Sequence, residues 1–382
     1  MSPLAHGPTR RSLAGSYGES RARAGRLTAA GASLSTDLVR RHESGPDHSG
    51  HKLQPYPRAS RTSKSGHPGR HMPVGVASGG VGAAYEHGGV VKGSSRSAPT
   101  VVYHVGAHKT GTSLVQAFLR ARRPELARQG ADFVTRGAMS ELFQWGRRLL
   151  VDPGPLAERI ARTADDPAYR LLILSHENTL DRPFVPGRPG LYPRTGEIAA
   201  ALRPVLADYD HRIVLSVRPP ADFVESYYLQ TIHEGAHHTF DRWLARVDPD
   251  ALSWRPIVQT LKRTFGRDRV HVVDFRLIRQ GQRAFLDHFL HVVDPGLRLD
   301  TEYDTVANAS LSEKGLQMAL GANPHLKNSQ ERGQLRVFLR NHFSNQRYPR
   351  PVLLNDDQRR SLQDRYDGEY EQMVAAEPAS RQ

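Results

Sequence analysis

Residues 104–113 read His-Val-Gly-Ala-His-Lys-Thr-Gly-Thr-Ser, with two glycines, one lysine and three hydroxyls on one short stretch. Gly106 and Gly111 have the separation of the phosphate loop G-x-x-x-x-G-K-[ST]. The lysine of that pattern is missing: Thr112 occupies its position, and Lys109 stands three places earlier. Glycines let the chain turn tightly enough for successive N–H groups to converge on an anion. Thr112 and Ser113 then open a helix with Leu114, Val115, Phe118 and Leu119 on its buried face, ended by Arg123-Pro124. A helix start adds unpaired N–H donors and about half a positive charge. The expectation is a phosphate-type site lacking the side chain that spans the β- and γ-phosphates of a nucleoside triphosphate. Lys109 should instead face the group bridging a 5′-phosphate and whatever is transferred.

A second stretch, residues 216–230, supplies an arginine at a strand end and a hydroxyl one to two helical turns on. Pro219 and Pro220 suit a first helical turn, where no N–H is needed, and Asp222 complements the helix dipole. Arg218 and Ser226, eight residues apart, can clamp a second phosphate, the guanidinium in bidentate fashion and the hydroxyl by one hydrogen bond.

Together the two stretches resemble the sulfotransferases that use 3′-phosphoadenosine-5′-phosphosulfate (PAPS), and the bacterial branch in particular. Gly106, His108, Lys109, Thr110, Gly111, Thr112 and Ser113 look like that family's 5′-phosphosulfate loop. Arg218 and Ser226 look like its 3′-phosphate segment, and residues 308–320 are weakly similar to a later stretch of the branch. The resemblance covers roughly residues 100–320. It implies a P-loop NTPase-like α/β fold, transfer of a sulfuryl group from PAPS to a hydroxyl or, less often, an amine, and a lysine contacting the bridging oxygen. It requires no metal.

A third stretch, residues 171–180, ends a buried strand in Ser175, His176, Glu177 and Asn178. Ligands of open α/β sheets bind at the carboxyl ends of strands. A hydroxyl acceptor must lose its proton as it attacks, and His176 or Glu177 beside the loop can take it. The branch resembles the glutamate users, which favours Glu177 and leaves His176 as the second candidate base. His-Glu-Gly-Ala-His at 233–237 fits the zinc pattern H-E-x-x-H, but Gly235 weakens the helix that such a site needs, and no glutamate lies between Glu234 and Glu302.

The elements that must hold these groups are legible as well. Near-continuous apolar runs at 101–105, 171–175, 212–217 and 269–275 predict buried strands of a parallel sheet. Helices are expected at 112–123, 155–164, 195–207, 220–234 and 254–266, a βαβ rhythm that predicts a doubly wound α/β domain. Beyond about residue 300 the pattern is helical, at 311–321, 328–342 and 355–374, with Pro349 and Pro351 separating the last two. Residues 178–194, rich in Pro and Gly, suit an acceptor loop or lid.

The charge is uneven. Residues 1–100 carry 14 Lys and Arg against 5 Asp and Glu, while the other 282 carry 39 against 34. Residues 1–97 are expected to be a disordered basic tail, and 98–382 the sulfotransferase-like domain. The absence of Cys excludes disulfides, thiolate metal sites and a cysteine nucleophile. No apolar run reaches the length of a membrane span, and the Arg10-Arg11 pair lacks an apolar segment after it, so a cytoplasmic location is expected. The expected partner is a small-molecule or carbohydrate acceptor, not nucleic acid. The competing functions are an NTP-dependent kinase, against which Thr112 argues, and a non-catalytic basic nucleic-acid binder.

Overall fold

Val101, Tyr103 and Val105 point to one side of the first strand and Val102 to the other, and each side meets its own apolar cluster. The computed structural model describes residues 98–143, 147–303 and 309–376; the expected tail at 1–97 lies outside them. Five parallel strands, β1 (Thr100–His104), β2 (Ala131–Phe133), β3 (Leu171–Ser175), β4 (His211–Val217) and β5 (Val270–Asp274), form one sheet in the order β2-β3-β1-β4-β5. This is the doubly wound α/β arrangement that the alternating pattern predicts, and its strand order is P-loop NTPase-like, as the resemblance implies. The chain leaves β1 toward β2 and β3 on one side and returns to β4 and β5 on the other, so the carboxyl end of β1 is the switch point.

The helices in chain order are α1 (Thr112–Ala121), α2 (Arg123–Arg128), α3 (Arg136–Phe143), α4 (Arg147–Val151), α5 (Gly154–Ala164), α6 (Thr195–Leu206), α7 (Pro220–His233), α8 (Phe240–Leu244), α9 (Arg255–Phe265), α10 (Gln282–Val293), α11 (Glu313–Ala322), α12 (Ser329–His342) and α13 (Asp356–Ala375). On one face of the sheet, Ile160 of α5, Leu202 of α6 and Leu261 of α9 pack against Leu172, Leu174, Leu215 and Val272. On the other, Phe118 of α1 and Phe285 and Phe289 of α10 pack against Val102, Ile173, Val214 and Val273. Each fully buried phenylalanine contributes about 2–3 kcal/mol of transfer free energy.

Three elements, α2, β2 and α10, depart from the sequence expectation. Arg123-Pro124 does not merely end α1: Pro124 sits in the first turn of α2, where a missing N–H is harmless. β2 escapes a sequence reading because three residues carry no periodicity, and α10 is absent from the expected helices although Phe285, Leu286, Phe289, Leu290 and Val293 recur at helical spacing.

A third cluster joins Val224, Tyr228 and Ile232 of α7 to Leu316, Leu339, Leu362 and Tyr366 of the C-terminal helices. The opposite face of α7, Phe223 and Tyr227, belongs to the sheet core. This helix therefore fastens the C-terminal helical part to the sheet. Among the described residues no helix is long and apolar enough to cross a membrane.

Candidate functional site

β1 runs into a turn in which Gly106 (φ 68°), Lys109 (φ 63°) and Gly111 (φ 89°) all adopt left-handed backbone. A Cβ on Gly106 would lie 2.7 Å from the Glu177 Cα, and one on Gly111 would lie 2.9 Å from the rings of Phe275 and Phe285. Only glycine fits at either place, and the turn is thereby pressed against the end of β3 on one side and α10 on the other. Alternation between left- and right-handed backbone turns successive N–H groups inward. The amides of Lys109, Thr110, Gly111, Thr112 and Ser113 donate to no other group among the described residues.

The side chains divide between bracing the turn and facing outward from it. The Thr110 hydroxyl donates to the Ala107 carbonyl at 2.8 Å and that of Thr112 at 3.3 Å. His108 is buried: its N–H donates to the Tyr192 hydroxyl at 2.8 Å, and its Nδ1 shares a second hydrogen bond with that hydroxyl at 2.9 Å. Burial pushes His108 down to about 4 despite the nearby Glu177 carboxylate. Ser113 is exposed at the start of α1. The half-buried Lys109 has no ion pair or side-chain hydrogen bond among the described residues. Burial and Arg218 push its ammonium down to about 8, partly offset by Glu234.

Beneath the turn, His104 ties three strand ends together. Its Nδ1 lies 2.9 Å from Ser175 Oγ and its Nε2 3.1 Å from Ser216 Oγ. Burial pushes it down to about 4, so it is a neutral strut. Its position just before the turn gave no sign of this, since the two serines come from distant strands.

At the end of β3, Glu177 is half-buried and bridged from two directions. Arg136 Nη2 lies 2.6 Å from its Oε1, and Gln116 Nε2 donates to its Oε2 at 3.1 Å. Burial opposes its ionisation, but Arg136, its own backbone amide, His176 and Gln116 together hold it below the usual carboxylate value. His176 is buried and pushed down to about 4 by desolvation, against the pull of Glu177; its Nε2 is 3.4 Å from Ser140 Oγ. Gln116 lies one turn past Ser113 on α1, and Arg136 comes from α3. Neither carries a motif, and only the fold brings them to Glu177.

At the end of β4, Arg218 Nη1 donates to the Lys109 carbonyl at 3.3 Å, and its guanidinium stands 5.4 Å from the Phe275 ring centroid. It has no ion pair among the described residues, because the nearby carboxylates are engaged elsewhere. Asp222 pairs with Arg279 (2.6 Å) and Arg359 (3.2 Å), and Glu225 pairs with Arg359 (2.6 Å). Burial pushes the Arg218 guanidinium down, and the cations of Arg350 and Arg279 add to this. Ser226 is half-buried on α7. Arg350, exposed and contributed by the segment between α12 and α13, joins the Arg218 neighbourhood without any signal in the sequence.

α7 ends at His233, and Gly235 takes a left-handed φ of 104°. His233 and His237 are therefore not presented on one continuous helix, as the zinc pattern requires. Among the described residues no group of His, Asp and Glu is arranged to hold a metal. Residues 178–194 are pinned at both ends, by Tyr192 under the turn and by the Arg194 Nε–Asp181 ion pair at 3.2 Å; only 186–189 and Arg182 are exposed.

No family model matches the chain, and no curated protein matches it. Among solved structures, a sulfotransferase from Alicyclobacillus acidocaldarius is similar over 60% of this chain and 98% of its own, at 16% identity and a TM-score of 0.31. Overlap at that level says nothing about activity.

Proposed function

We propose that the protein transfers a sulfuryl group from PAPS to a hydroxyl of an acceptor. One observation carries this most: five loop amides and the Lys109 ammonium, all without partners among the described residues, lie at the switch point of the sheet, while the position of a nucleotide-kinase lysine is held by Thr112. The residues fit such a donor. Glycines stand where any Cβ would collide with Glu177 or with Phe275 and Phe285 and push the turn out of this shape, and Arg218, the cation at the next strand end, has no ion pair among the described residues.

PAPS supplies an activated sulfuryl group whose sulfur–oxygen bond to the 5′-phosphate is the one that breaks. Amides 109–113 and the Ser113 hydroxyl hold the 5′-phosphate. Lys109 balances the charge that collects on the departing oxygen, which is where fixed cations are most effective. Arg218 and Ser226, with Arg350 nearby, hold the 3′-phosphate and so separate this donor from ATP. Glu177, ionised and kept in place by Arg136 and Gln116, accepts the acceptor's hydroxyl proton; His176 is less accessible. Such catalysis is positioning and electrostatics. The acceptor is a carbohydrate, glycolipid or small metabolite that approaches past residues 182–189.

The test is thermal stabilisation by adenosine 3′,5′-bisphosphate compared with ATP and magnesium. The bisphosphate should raise Tm clearly more at equal concentration. Equal or reversed stabilisation overturns the assignment.

A further inference from the structure

Arg332, Arg336 and Arg340 stand at four-residue spacing on α12, so they share one face of the helix. None has an ion pair or side-chain hydrogen bond among the described residues. Like charges at this spacing destabilise a helix. The helix dipole compensates only Arg340, in the last turn, and Arg332 sits in the first turn, where a cation is disfavoured. The row therefore costs stability where it stands.

Its placement is defined by packing. Leu339, between Arg336 and Arg340, is buried in the cluster that holds Leu229 and Ile232 of α7. The Arg332 side chain lies directly against Gly235, so closely that a Cβ there would collide with it. Asn323 donates to the carbonyls of Ile232 and Ala236 at 2.8 and 2.7 Å and fixes the same corner. His233 sits at this corner with its Nε2 buried and unbonded among the described residues. Burial pushes it down to about 4, and Lys109, Arg336 and Arg340 all act in the same direction. The charges of Lys109, Arg336 and Arg340 thus all act on one histidine.

Arg218 and Arg350 serve the other end of α7. That helix has 14 residues, which at about 1.5 Å per residue is about 20 Å. A 3′-phosphate held at Arg218 cannot also occupy the row, so the row is available to a second anion. We infer that Arg332, Arg336 and Arg340 form an anion site for the acceptor, which is a hydroxylated molecule carrying its own carboxylate, sulfate or phosphate. This inference rests on the transferase reading and narrows its substrate class. A row of like charge on the surface also attracts such acceptors electrostatically.

The experiment uses the full chain, radiolabelled PAPS and an extract of the source cells split beforehand into anion-exchanger-retained and flow-through fractions. Label should pass to the retained fraction, and salt should suppress the transfer. R336A/R340A should lose this transfer by about tenfold or more, as loss of two charge-assisted contacts implies, with bisphosphate affinity within twofold of the wild type. R263A/R267A, on α9 and the turn after it, should leave transfer unchanged. Transfer mainly to the flow-through fraction, or an unaffected R336A/R340A variant, overturns the inference. So does a parallel loss of bisphosphate affinity, which would assign the row to the donor. If the bisphosphate stabilises the protein yet no fraction accepts label, the anion site falls and the donor site stands. If it does not stabilise the protein, the transferase reading falls and the inference with it.

Discussion

Arg136 Nη2 lies 2.6 Å from Glu177 Oε1, and this contact from an otherwise unmarked helix is the largest of those that keep the candidate base charged. Burial would favour the neutral acid, and Arg136, with the Glu177 amide, His176 and Gln116, reverses that outcome. Glu177 is therefore ionised at neutral pH, and activity that needs its carboxylate should fall only as pH drops through its depressed value. Arg136→Ala should move the acid limb of the kcat/KM profile upward. Glu177→Gln should lower kcat by about 10²–10⁴ with bisphosphate affinity retained. An unshifted limb in Arg136→Ala would separate Arg136 from the chemistry.

Lys109 predicts the alkaline limb. Its ammonium, pushed down to about 8, loses charge as pH rises, so kcat/KM should decline above about 8. A bound anion raises that value, so the corresponding limb of kcat should lie at higher pH. Lys109→Ala should reduce kcat by about 10²–10³, the range for removing one preorganised charge-stabilising group. The folded value lies below that of the unfolded chain, so the unfolded state holds more protons between about 8 and 10.5 and stability rises with pH across that window. Lys109→Met should accordingly raise Tm at pH 7 while lowering turnover to a similar degree. Calorimetry beside a transfer assay reads both effects.

Arg218 should discriminate between donors. Arg218→Ala should weaken adenosine 3′,5′-bisphosphate by about 10–100-fold, the range for losing charged hydrogen bonds, yet leave adenosine 5′-phosphosulfate, which lacks the 3′-phosphate, nearly unchanged. Calorimetric titration of both ligands tests this. Equal losses would assign Arg218 to the turn, through its bond to the Lys109 carbonyl.

Gly106→Ala forces a methyl group to within 2.7 Å of the Glu177 backbone in a left-handed conformation. Overpacking of this kind costs about 1–3 kcal/mol, and the displaced turn should lose the bisphosphate. Gly187→Ala, also left-handed but with open space around its Cβ position, serves as the control for backbone strain alone. If the two variants bind the bisphosphate equally, the close approach of Gly106 to Glu177 does not shape the site.

Four histidines, His104, His108, His176 and His233, are each pushed down to about 4 by burial. The unfolded chain binds their protons near 6.5, so stability is lost as pH falls from about 6.5 toward 4. The urea midpoint should drop steeply over that interval with an unchanged m-value. His104→Gln should make the drop shallower. A flat profile would mean that these rings are hydrated in solution.

The sequence by itself determined the sheet's main strands, most of the helices that cover it and the glycine turn, because apolar periodicity and glycine spacing are local properties. Lys109, Arg218 and Glu177 were legible for the same reason: each ends a strand, and strand ends of a parallel sheet meet at one edge. Tertiary structure alone decided what those groups face. Arg136, Gln116, Tyr192 and Arg350 come to these groups across tens to hundreds of residues, and no local spacing encodes such a meeting. Burial did the rest. Whether Glu177 is charged, whether Lys109 holds its proton and whether Arg218 lacks a carboxylate all depend on how much water and which neighbours the packed chain leaves beside them.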